Sequence, residues 1–247
     1  EHPKSFIATN ILGTFTLLNV IRKYYGTLKL KEKNKFIFLN ISTDEVFGSL
    51  QLSSRPSNEN SPFMPNSPYS ASKASADHLV RSFYKTYKIP SITTHCSNNF
   101  GPYQHEEKFI PKIIKNALKC TKIPIYGEGK NIRDWIFVED HCKALIKIIE
   151  NGHVGETYNI GAGEEVSNIN LAKLICRKLD VICPNQNDSY ETLISFVKDR
   201  AGHDFRYSID STKLSSSLDW KLTKTFEQSL DYTIKWYVKN FLGLEKL

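Results

Sequence analysis

Four residues combine side-chain types and spacings that could carry acid–base chemistry. Tyr69 and Lys73 lie four positions apart, so on a helix they share one face, with about 5 to 6 Å between their Cβ atoms. A lysine in that place can lower the pKa of a phenol, which makes tyrosine a usable base near neutral pH. The spacing alone is weak evidence, because it recurs at other pairs. These are Tyr25/Lys29, Tyr84/Lys88 and Tyr126/Lys130.

Asp44 and Glu45 complete this group of four. They follow the apolar run FIFLNIS of residues 36–42, which predicts a strand buried on both faces of a parallel sheet. Open parallel sheets bind ligands beyond the carboxyl ends of their strands, so Thr43, Asp44 and Glu45 are predicted to lie over a site. Neighbouring carboxylates can divide the roles of acid and base in the elimination of water. A hydrated loop has the same residues, so the pair alone does not decide.

The elements predicted around these residues alternate in type. Pro3 is predicted to stand in the first turn of a helix and Gly26 just after its end. The predicted order is helix 3–25, strand 36–42, a helix from near Pro68 to before Pro90, strand 91–97, helix 109–119, helix 140–150, strand 156–161, a helix from Asn168, strand 206–210 and a C-terminal helix. This alternation indicates an α/β fold with a doubly wound parallel (Rossmann) sheet.

Composition narrows the class of protein. The chain has 247 residues, 40% of them hydrophobic, which is enough for one large α/β domain or a domain with a smaller lobe. Its net charge of +7 suits a polyanionic small substrate, and because the lysines are scattered we predict no nucleic-acid partner. No stretch approaches the roughly 18 apolar residues of a membrane span, so no membrane partner is predicted.

The cysteines and histidines indicate the compartment and the absence of a metal. The five cysteines are odd in number, widely spaced and form no CxxC, and the seven histidines show no ligand spacing. This pattern fits reduced thiols better than disulfides or a zinc site. We therefore predict a cytoplasmic protein without a bound metal.

Six ordered motifs span nearly the whole chain. They are STDEVFG (42–48), PYSASK (68–73), SNNFGPYQ (97–104), RDWIFVEDH (133–141), YNIGAG (158–163) and DRAGHDFRYSID (199–210). In this order they resemble the dTDP-glucose 4,6-dehydratases of the extended short-chain dehydrogenase/reductase type. The resemblance implies a Rossmann domain that binds NAD and a smaller C-terminal lobe that grips dTDP-glucose. Thr-Asp-Glu at 43–45 distinguishes this family from its relatives. Related 4-epimerases lack the paired carboxylates, while GDP-mannose dehydratases and UDP-glucuronate decarboxylases generally have Ser-Glu there.

The resemblance implies a catalytic role for each of five residues. Tyr69 is implied to take the C4 hydroxyl proton while hydride passes from C4 to NAD, and Lys73 to hold the nicotinamide ribose. Thr43 is implied to hydrogen-bond the C4 oxygen. Glu45 is implied to remove the C5 proton and Asp44 to protonate the departing C6 hydroxyl, before hydride returns to C6. The implied product is the 4-keto-6-deoxy sugar.

Further binding residues follow from the same resemblance. The implied cofactor contacts are Tyr69, Lys73, Asn99 and Ser42. The implied substrate contacts are Thr43, Asn98, Lys108, Tyr126, Arg133, Asn168, Arg200 and His203. Among them, Lys108, Arg133 and Arg200 resemble diphosphate partners, since cationic side chains pair with phosphate oxygens.

The resemblance also implies a domain layout and an assembly. Residues 1–103 are expected to be the C-terminal part of the NAD-binding Rossmann domain, and 104–247 mainly the substrate lobe, with about 139–162 returning to the Rossmann domain. GAGEEV (161–166) has only the first two glycines of GxGxxG and comes late in the chain. Since the first βαβ unit binds the pyrophosphate, we expect about 80 or more residues before Glu1 and an inactive isolated chain. Helices 3–25 and 69–87 are implied to form a homodimer.

Two other classes of function stay open at this point. One is a neighbouring sugar-nucleotide enzyme, a 4-epimerase or a decarboxylase, against which the triplet 43–45 argues. The other is a non-catalytic sugar-nucleotide or NAD sensor that kept the fold and lost the chemistry. A binding module has no need of Asp44, Glu45, Tyr69 and Lys73 together, which favours the enzyme.

Overall fold

The computed structural model describes residues 3–185 and 188–243, and it opens with one long helix. Helix α1 (Pro3–Phe6), a π-helical stretch (Ile7–Gly13) and α2 (Thr14–Thr27) run together as a single helix, Pro3–Thr27, before the short α3 (Leu30–Lys33). The predicted helix is confirmed, but its end is not. Gly26 lies inside the last turn, where a residue without a side chain is tolerated because the end of a helix frays.

A parallel sheet holds the predicted site residues. Strand β1 (Phe38–Thr43) pairs with β2 (Ser91–Cys96), and β2 pairs with β6 (Thr157–Ile160), in the order β1-β2-β6. The register sets Ser42 beside His95 and Thr43 beside Cys96. Because the strands are parallel, their carboxyl ends share one edge of the sheet. The three predicted strands are confirmed to within two residues at each end.

Helix α4 (Pro68–Tyr87) packs on this sheet and on the Pro3–Thr27 helix. Its start is fixed by a reciprocal cap, in which the Ser67 hydroxyl accepts from the Ser70 N–H at 3.0 Å and the Ser70 hydroxyl accepts from the Ser67 N–H at 3.1 Å. Pro68 stands in the first turn, where its missing N–H costs no hydrogen bond. The cap places Tyr69 in the first turn and Lys73 in the second.

The later part of the chain builds a second core. Strands β3 (Asn98–Phe100), β5 (Ile132–Phe137) and β7 (Glu165–Ser167) form one small sheet, and β4 (Ile123–Tyr126) pairs with β8 (Ile194–Val197). Helices α5 (Phe109–Leu118), α7 (Asn168–Ile182) and α9 (Phe226–Leu242) bury a large apolar cluster against them. Helices α6 (Val138–Asn151) and α8 (Thr212–Leu218) contribute to the apolar cluster on the first sheet.

Residues 206–210 differ from the strand predicted there. The segment makes isolated bridges, Arg206 with Ile132 and Ile209 with Ser57, in place of a regular strand. The reason lies in its backbone hydrogen bonds, because Tyr207 donates to Ile132 while Asp210 donates to Ser57 on a different segment. With two partners in turn, no continuous ladder forms.

The Pro3–Thr27 helix leaves an apolar face uncovered. Leu12 and Val20 are each 58% exposed, and Leu17 is 49% exposed. Within residues 3–185 and 188–243 it is the one helix long and apolar enough, by length and composition alone, to cross a membrane. The prediction that no stretch would qualify is therefore wrong, because this helix is apolar on more faces than the one that contacts α4.

Candidate active site

The end of β1 carries the Thr-Asp-Glu triplet into the protein interior. Thr43 is the last residue of β1, and Asp44 opens a 3₁₀ turn, Asp44–Phe47. The Thr43 hydroxyl accepts from the Glu45 N–H at 3.3 Å and donates to Asp44 Oδ1 at 3.3 Å. Asp44 is 4% exposed, so this carboxyl faces protein and not bulk water. The turn therefore holds two carboxyl groups side by side at the sheet edge.

Tyr69 and Lys73 reach the same edge from α4. Lys73 Nζ donates to the carbonyl oxygen of Ile41 at 2.8 Å, which ties the helix to β1. The Tyr69 ring lies edge-on to Phe6, with 5.5 Å between the ring centroids. The negative charges of Asp44 and Glu45 in the turn both act on its phenol. The structure thus brings the five predicted catalytic residues into one place.

The phenol of Tyr69 is harder to ionise than the spacing suggested. Burial raises the pKa of Tyr69 to about 12, and the charge of Glu45 acts in the same direction, followed by those of Cys96 and Asp44. The expectation that Lys73 lowers this pKa is wrong for this arrangement. The Lys73 ammonium is turned to the Ile41 carbonyl, while burial and the carboxylates act directly on the phenol.

Asp44 and Glu45 have different surroundings. Burial raises the pKa of Asp44 well above its usual range, and the neighbouring charge of Glu45 raises it further. Burial also raises the pKa of Glu45, but the charges of Arg133 and Arg200 oppose that shift. Titratable neighbours whose environments differ in this way suit opposite roles, one as acid and the other as base.

Buried acceptors without partners lie at the carboxyl ends of β1 and β2. Among the residues that the structure describes, these include Asp44 Oδ2, Asn98 Oδ1 and Asn99 Oδ1. Asn99 Nδ2 donates to the Ser97 carbonyl at 3.1 Å, which fixes the direction of that amide. Buried polar atoms are normally hydrogen-bonded, so these acceptors fit donors supplied by a bound molecule or by water. The Ser42 hydroxyl, in contrast, already donates to Asp77 Oδ2 at 2.8 Å.

The three predicted diphosphate partners lie within electrostatic reach of Glu45. The charges of Arg133, Arg200 and Lys108 all act on its carboxyl group. Arg200 and Lys108 are exposed, whereas Arg133 is 5% exposed and its guanidinium lies 4.4 Å from the centre of the Tyr207 ring. The site therefore has one buried cation and two exposed ones.

The guanidinium of Arg133 also bonds to the backbone. It donates to the carbonyl oxygens of Ile132 at 2.7 Å and Asp204 at 3.0 Å. The Tyr207 hydroxyl in turn donates to the Asp204 carboxylate. Arg133 thus joins β5 to the segment around residue 204, in addition to its predicted contact with diphosphate.

The remaining predicted substrate contacts lie on two neighbouring segments. His203 Nδ1 is 2.7 Å from Asp199 Oδ1, and its ring lies edge-on to Tyr126 with 6.4 Å between centroids. Asn168 opens α7, where its backbone N–H donates to the Asn131 carbonyl at 2.9 Å. The structure thus brings Tyr126 and His203 together, and it places Asn168 next to the turn that follows Tyr126.

Sequence reasoning missed Asp77 and His95, which are buried beneath the site. Asp77 lies four residues after Lys73, the same spacing that links Lys73 to Tyr69, and this was a usable signal. No local pattern marks His95, whose partner is set by the packing of α4 on β2. Within residues 3–185 and 188–243, no group of three or more His, Cys, Asp or Glu side chains could hold a metal ion.

Known proteins resemble this chain along nearly its whole length. The family model of GDP-mannose 4,6 dehydratase matches residues 1–233. A dTDP-glucose 4,6-dehydratase of Haemophilus influenzae is 50% identical over 238 residues, 95% of this chain and 70% of that protein. The dTDP-glucose 4,6-dehydratase 1 of Escherichia coli is 48% identical over 246 residues, 96% of this chain and 68% of that protein.

Solved structures of dTDP-glucose 4,6-dehydratases are also similar to this chain. A dTDP-glucose 4,6-dehydratase from Bacillus anthracis in complex with NAD has a TM-score of 0.83 and 42% identity, covering 97% of this chain and 70% of that one. A double mutant of the Streptomyces venezuelae enzyme, also with NAD bound, has a TM-score of 0.83 and 35% identity, covering 99% and 72%.

Proposed function

Since the chain belongs to the dTDP-glucose 4,6-dehydratase family, we propose that it removes water across C5 and C6 of dTDP-glucose with NAD as cofactor. One observation carries the proposal for this chain's own residues. Asp44 and Glu45 are held side by side in a turn next to Tyr69, and burial raises the pKa of Asp44 well above its usual range. A 4-epimerase has no use for such a pair, and a sensor has no use for an acid with a raised pKa.

The residues present fit NAD as cofactor. Bound NAD supplies the acceptor for a hydride from C4 of the sugar and later returns that hydride to C6. The orphaned Oδ1 of Asn99 is a buried acceptor at the end of β2 and fits an amide donor. Lys73 and Tyr69 would hold the nicotinamide ribose beside it, and Ser42 would support β1 from behind, because its hydroxyl is bonded to Asp77.

Two residues act on C4 of the sugar. Tyr69 takes the proton of the C4 hydroxyl, and Thr43 holds the C4 oxygen through its own hydroxyl. The raised pKa of Tyr69 keeps the phenol protonated at neutral pH, so this step speeds up as pH rises. The shift costs rate at neutral pH but leaves the tyrosine able to return the proton afterwards.

Asp44 and Glu45 divide the elimination step. Burial raises the pKa of Asp44 and so favours its protonated form, which suits it to give a proton to the C6 hydroxyl as that group leaves. Burial raises the pKa of Glu45, but the charges of Arg133, Arg200 and Lys108 oppose that shift and favour its ionised form, which suits it to remove the C5 proton. The C4 ketone makes that proton acidic, so the order is oxidation first and elimination second.

The nucleotide part of the substrate meets the open side of the site. Arg200 and Lys108 bind the diphosphate with exposed cationic heads, and Arg133 adds a buried charge behind them. The thymine and ribose lie near Tyr126 and His203. Asn98 and Asn168 complete the substrate contacts proposed here, and the lobe formed mainly by residues 104–247 supplies most of them.

The proposed assembly is a homodimer in the cytoplasm. The uncovered apolar face of the Pro3–Thr27 helix lies beside α4, and a second copy that covers it would form a four-helix bundle. Burial of Leu12, Leu17 and Val20 against a twin removes from water an apolar face that a monomer would leave exposed. The five free thiols agree with a reducing compartment.

The test is a pair of amide substitutions in the full-length protein. Glu45→Gln is expected to form the 4-keto sugar and then stall, with no exchange of the C5 hydrogen into deuterated solvent. Asp44→Asn is expected to exchange C5 faster than product appears, because an amide is a poor proton donor to the leaving hydroxyl. Each should lower product formation about 10²- to 10⁴-fold.

The matched control is Asp180→Asn, a carboxylate outside the site that binds Ser189 and the Tyr190 N–H. Its turnover should stay within about two-fold of the parent. Equal and small losses in Glu45→Gln and Asp44→Asn, without a keto intermediate or C5 exchange, would return the chain to the epimerase or sensor class.

A further inference from the structure

A polar cluster lies beneath the site, on the face of the sheet that α4 covers. Its centre is Asp77 of α4 and His95 of β2, which are 5% and 1% exposed. Asp77 Oδ1 accepts from Asn40 Nδ2 at 2.7 Å, and Asp77 Oδ2 accepts from Ser42 Oγ at 2.8 Å. Asp77 Oδ2 also lies 3.1 Å from His95 Nε2. One carboxyl group therefore holds two residues of β1 and one of β2.

The other ring nitrogen of His95 shows where the protons lie. His95 Nδ1 is 3.3 Å from Asn159 Oδ1 on β6, and the Asn159 amide is oriented because its Nδ2 donates to the Ser57 carbonyl at 3.0 Å. A carbonyl only accepts, so Asn159 Oδ1 faces the ring and Nδ1 carries a proton. An ionised Asp77 is also an acceptor only, so Nε2 carries a second proton.

We infer that His95 is a buried imidazolium paired with the Asp77 carboxylate, and that this ion pair positions α4, with Tyr69 and Lys73, against the strands that end at Asp44 and Glu45. Asp77 stands one helical turn after Lys73, so its three contacts on β1 and β2 set the depth and rotation of the helix. The positioning part of the inference rests on the proposed function. The inference that the pair is charged does not rest on the proposed function.

The surroundings make this pair a defined unit. The rings of Phe47 and Phe63 lie edge-on to His95, with centroids 4.9 and 5.4 Å away. A cavity of about 420 Å³, lined also by Phe63, lies against both residues of the pair. Tyr84 of α4 adds a phenol to the lining, and the charged or ionisable groups besides it and the pair are His78 and Arg81 from α4, Glu59 from the preceding loop and Glu156 before β6. These four are more exposed than the pair, so solvent screens them.

The pair is also part of the electrostatics of Tyr69. The groups that act on its phenol are Glu45 and Asp44 from the turn, Cys96 from β2 and Asp77 from its own helix. Asp77 is eight residues from Tyr69, or about 12 Å along a helix. Loss of the His95 charge leaves the Asp77 charge uncompensated, which disfavours the phenolate. Loss of the His95 charge is therefore expected to raise the pKa of Tyr69 further.

The first measurement is the protonation state itself. In the full-length protein labelled with ¹⁵N-histidine, His95 is expected to show two protonated ring nitrogens at pH 7.5, assigned by its loss in His95→Gln. His141 is the matched control, because burial lowers its pKa to about 4 and it is neutral at this pH. A bare ring nitrogen on His95 would overturn the inference whether or not the protein turns over dTDP-glucose.

The second measurement is the pH profile of kcat/KM. His95→Gln is expected to move the rising limb to higher pH and to lower kcat about ten- to a hundred-fold. The double variant Asp77→Asn/His95→Gln buries no uncompensated charge and should move the limb back. It also replaces the single variant if that one does not fold. A lower Tm alone, with the rising limb of the pH profile and kcat unchanged, would show that the pair has only a structural role and would overturn its positioning role.

Discussion

Removal of Arg206 tests how the segment 206–210 is held without a regular strand. Arg206 is 6% exposed, and its guanidinium makes a two-pronged pair with Glu165, with Nε to Oε2 at 2.5 Å and Nη2 to Oε1 at 2.7 Å. Its Nη1 donates to the carbonyl oxygens of Gln51 at 3.0 Å and Ser54 at 2.8 Å. One side chain thus ties β7 and the loop after the catalytic turn to residues 206–210.

The cost of Arg206→Ala follows from the groups it leaves behind. The substitution strands two carbonyls and leaves the Glu165 carboxylate, which is exposed at the surface, with the Ser208 hydroxyl as its remaining donor. Loss of charge-assisted hydrogen bonds of this kind costs about 1.5 to 3 kcal/mol in free energy of unfolding. The double variant Arg206→Met/Glu165→Leu leaves no unpaired charge and should recover part of that loss. The single variant is therefore predicted to be less stable than the double.

Urea unfolding of the full-length protein, followed by circular dichroism, measures these differences. The pair holds the pKa of Glu165 below its usual value of 4.5, so its stabilisation is present above that pH and is lost as pH falls through the lowered pKa. The gap between parent and Arg206→Ala should shrink accordingly in acid. The control is Arg177→Ala, which removes an exposed pair with Glu191 and should cost under about 1 kcal/mol. Equal losses for Arg206→Ala and Arg177→Ala would refute the reasoning.

Three further predictions follow. Burial lowers the pKa of His141 from 6.5 to about 4, so the folded state resists protonation and loses about 3 kcal/mol of stability as pH falls between those values. His141→Gln should reduce that loss of unfolding free energy in urea titrations at the two pH values, and an unchanged dependence of stability on pH would contradict the prediction. Arg200→Ala should raise KM for dTDP-glucose about ten- to a hundred-fold with unchanged Tm, whereas Arg133→Ala should also lower Tm because Arg133 is buried. Equal changes of KM and Tm in the two variants would contradict the prediction that only Arg133 also stabilises the fold. Leu17→Lys/Val20→Lys should sediment as a monomer at micromolar concentration while the parent sediments as a dimer, and a monomeric parent would refute the proposed interface.

The elements that carry the site were predictable because their signals are local. Pro68 marked the start of α4, and the apolar run before Thr43 marked a strand whose end had to face the ligand side. The spacing of Tyr69 and Lys73 then placed both on one face of the helix. Each of these signals depends on residues within one or two turns of one another, which is the range that sequence patterns report.

The electrostatics of the site were not predictable in the same way. The pKa of Tyr69 depends on how deeply α4 is buried against β1 and on which group the Lys73 ammonium binds. The spacing of the two residues in the sequence determines neither. The contact between Asp77 and His95 depends on long-range packing. Residues 206–210 have the composition of a strand, but the partners available to their backbone decide that they form only isolated bridges.

The strand order β1-β2-β6 has a consequence for synthesis of the chain on the ribosome. Asn40 of β1 meets Thr94 of β2 across 54 positions, and His95 of β2 meets Asn159 of β6 across 64. A chain that grows by about 5 to 20 residues per second leaves β2 waiting several seconds for its second neighbour. Until β6 emerges, one edge of β2 is an open template for wrong pairing. Slower translation through residues 97–156 should therefore lower the yield of folded protein more than the same delay placed after β6.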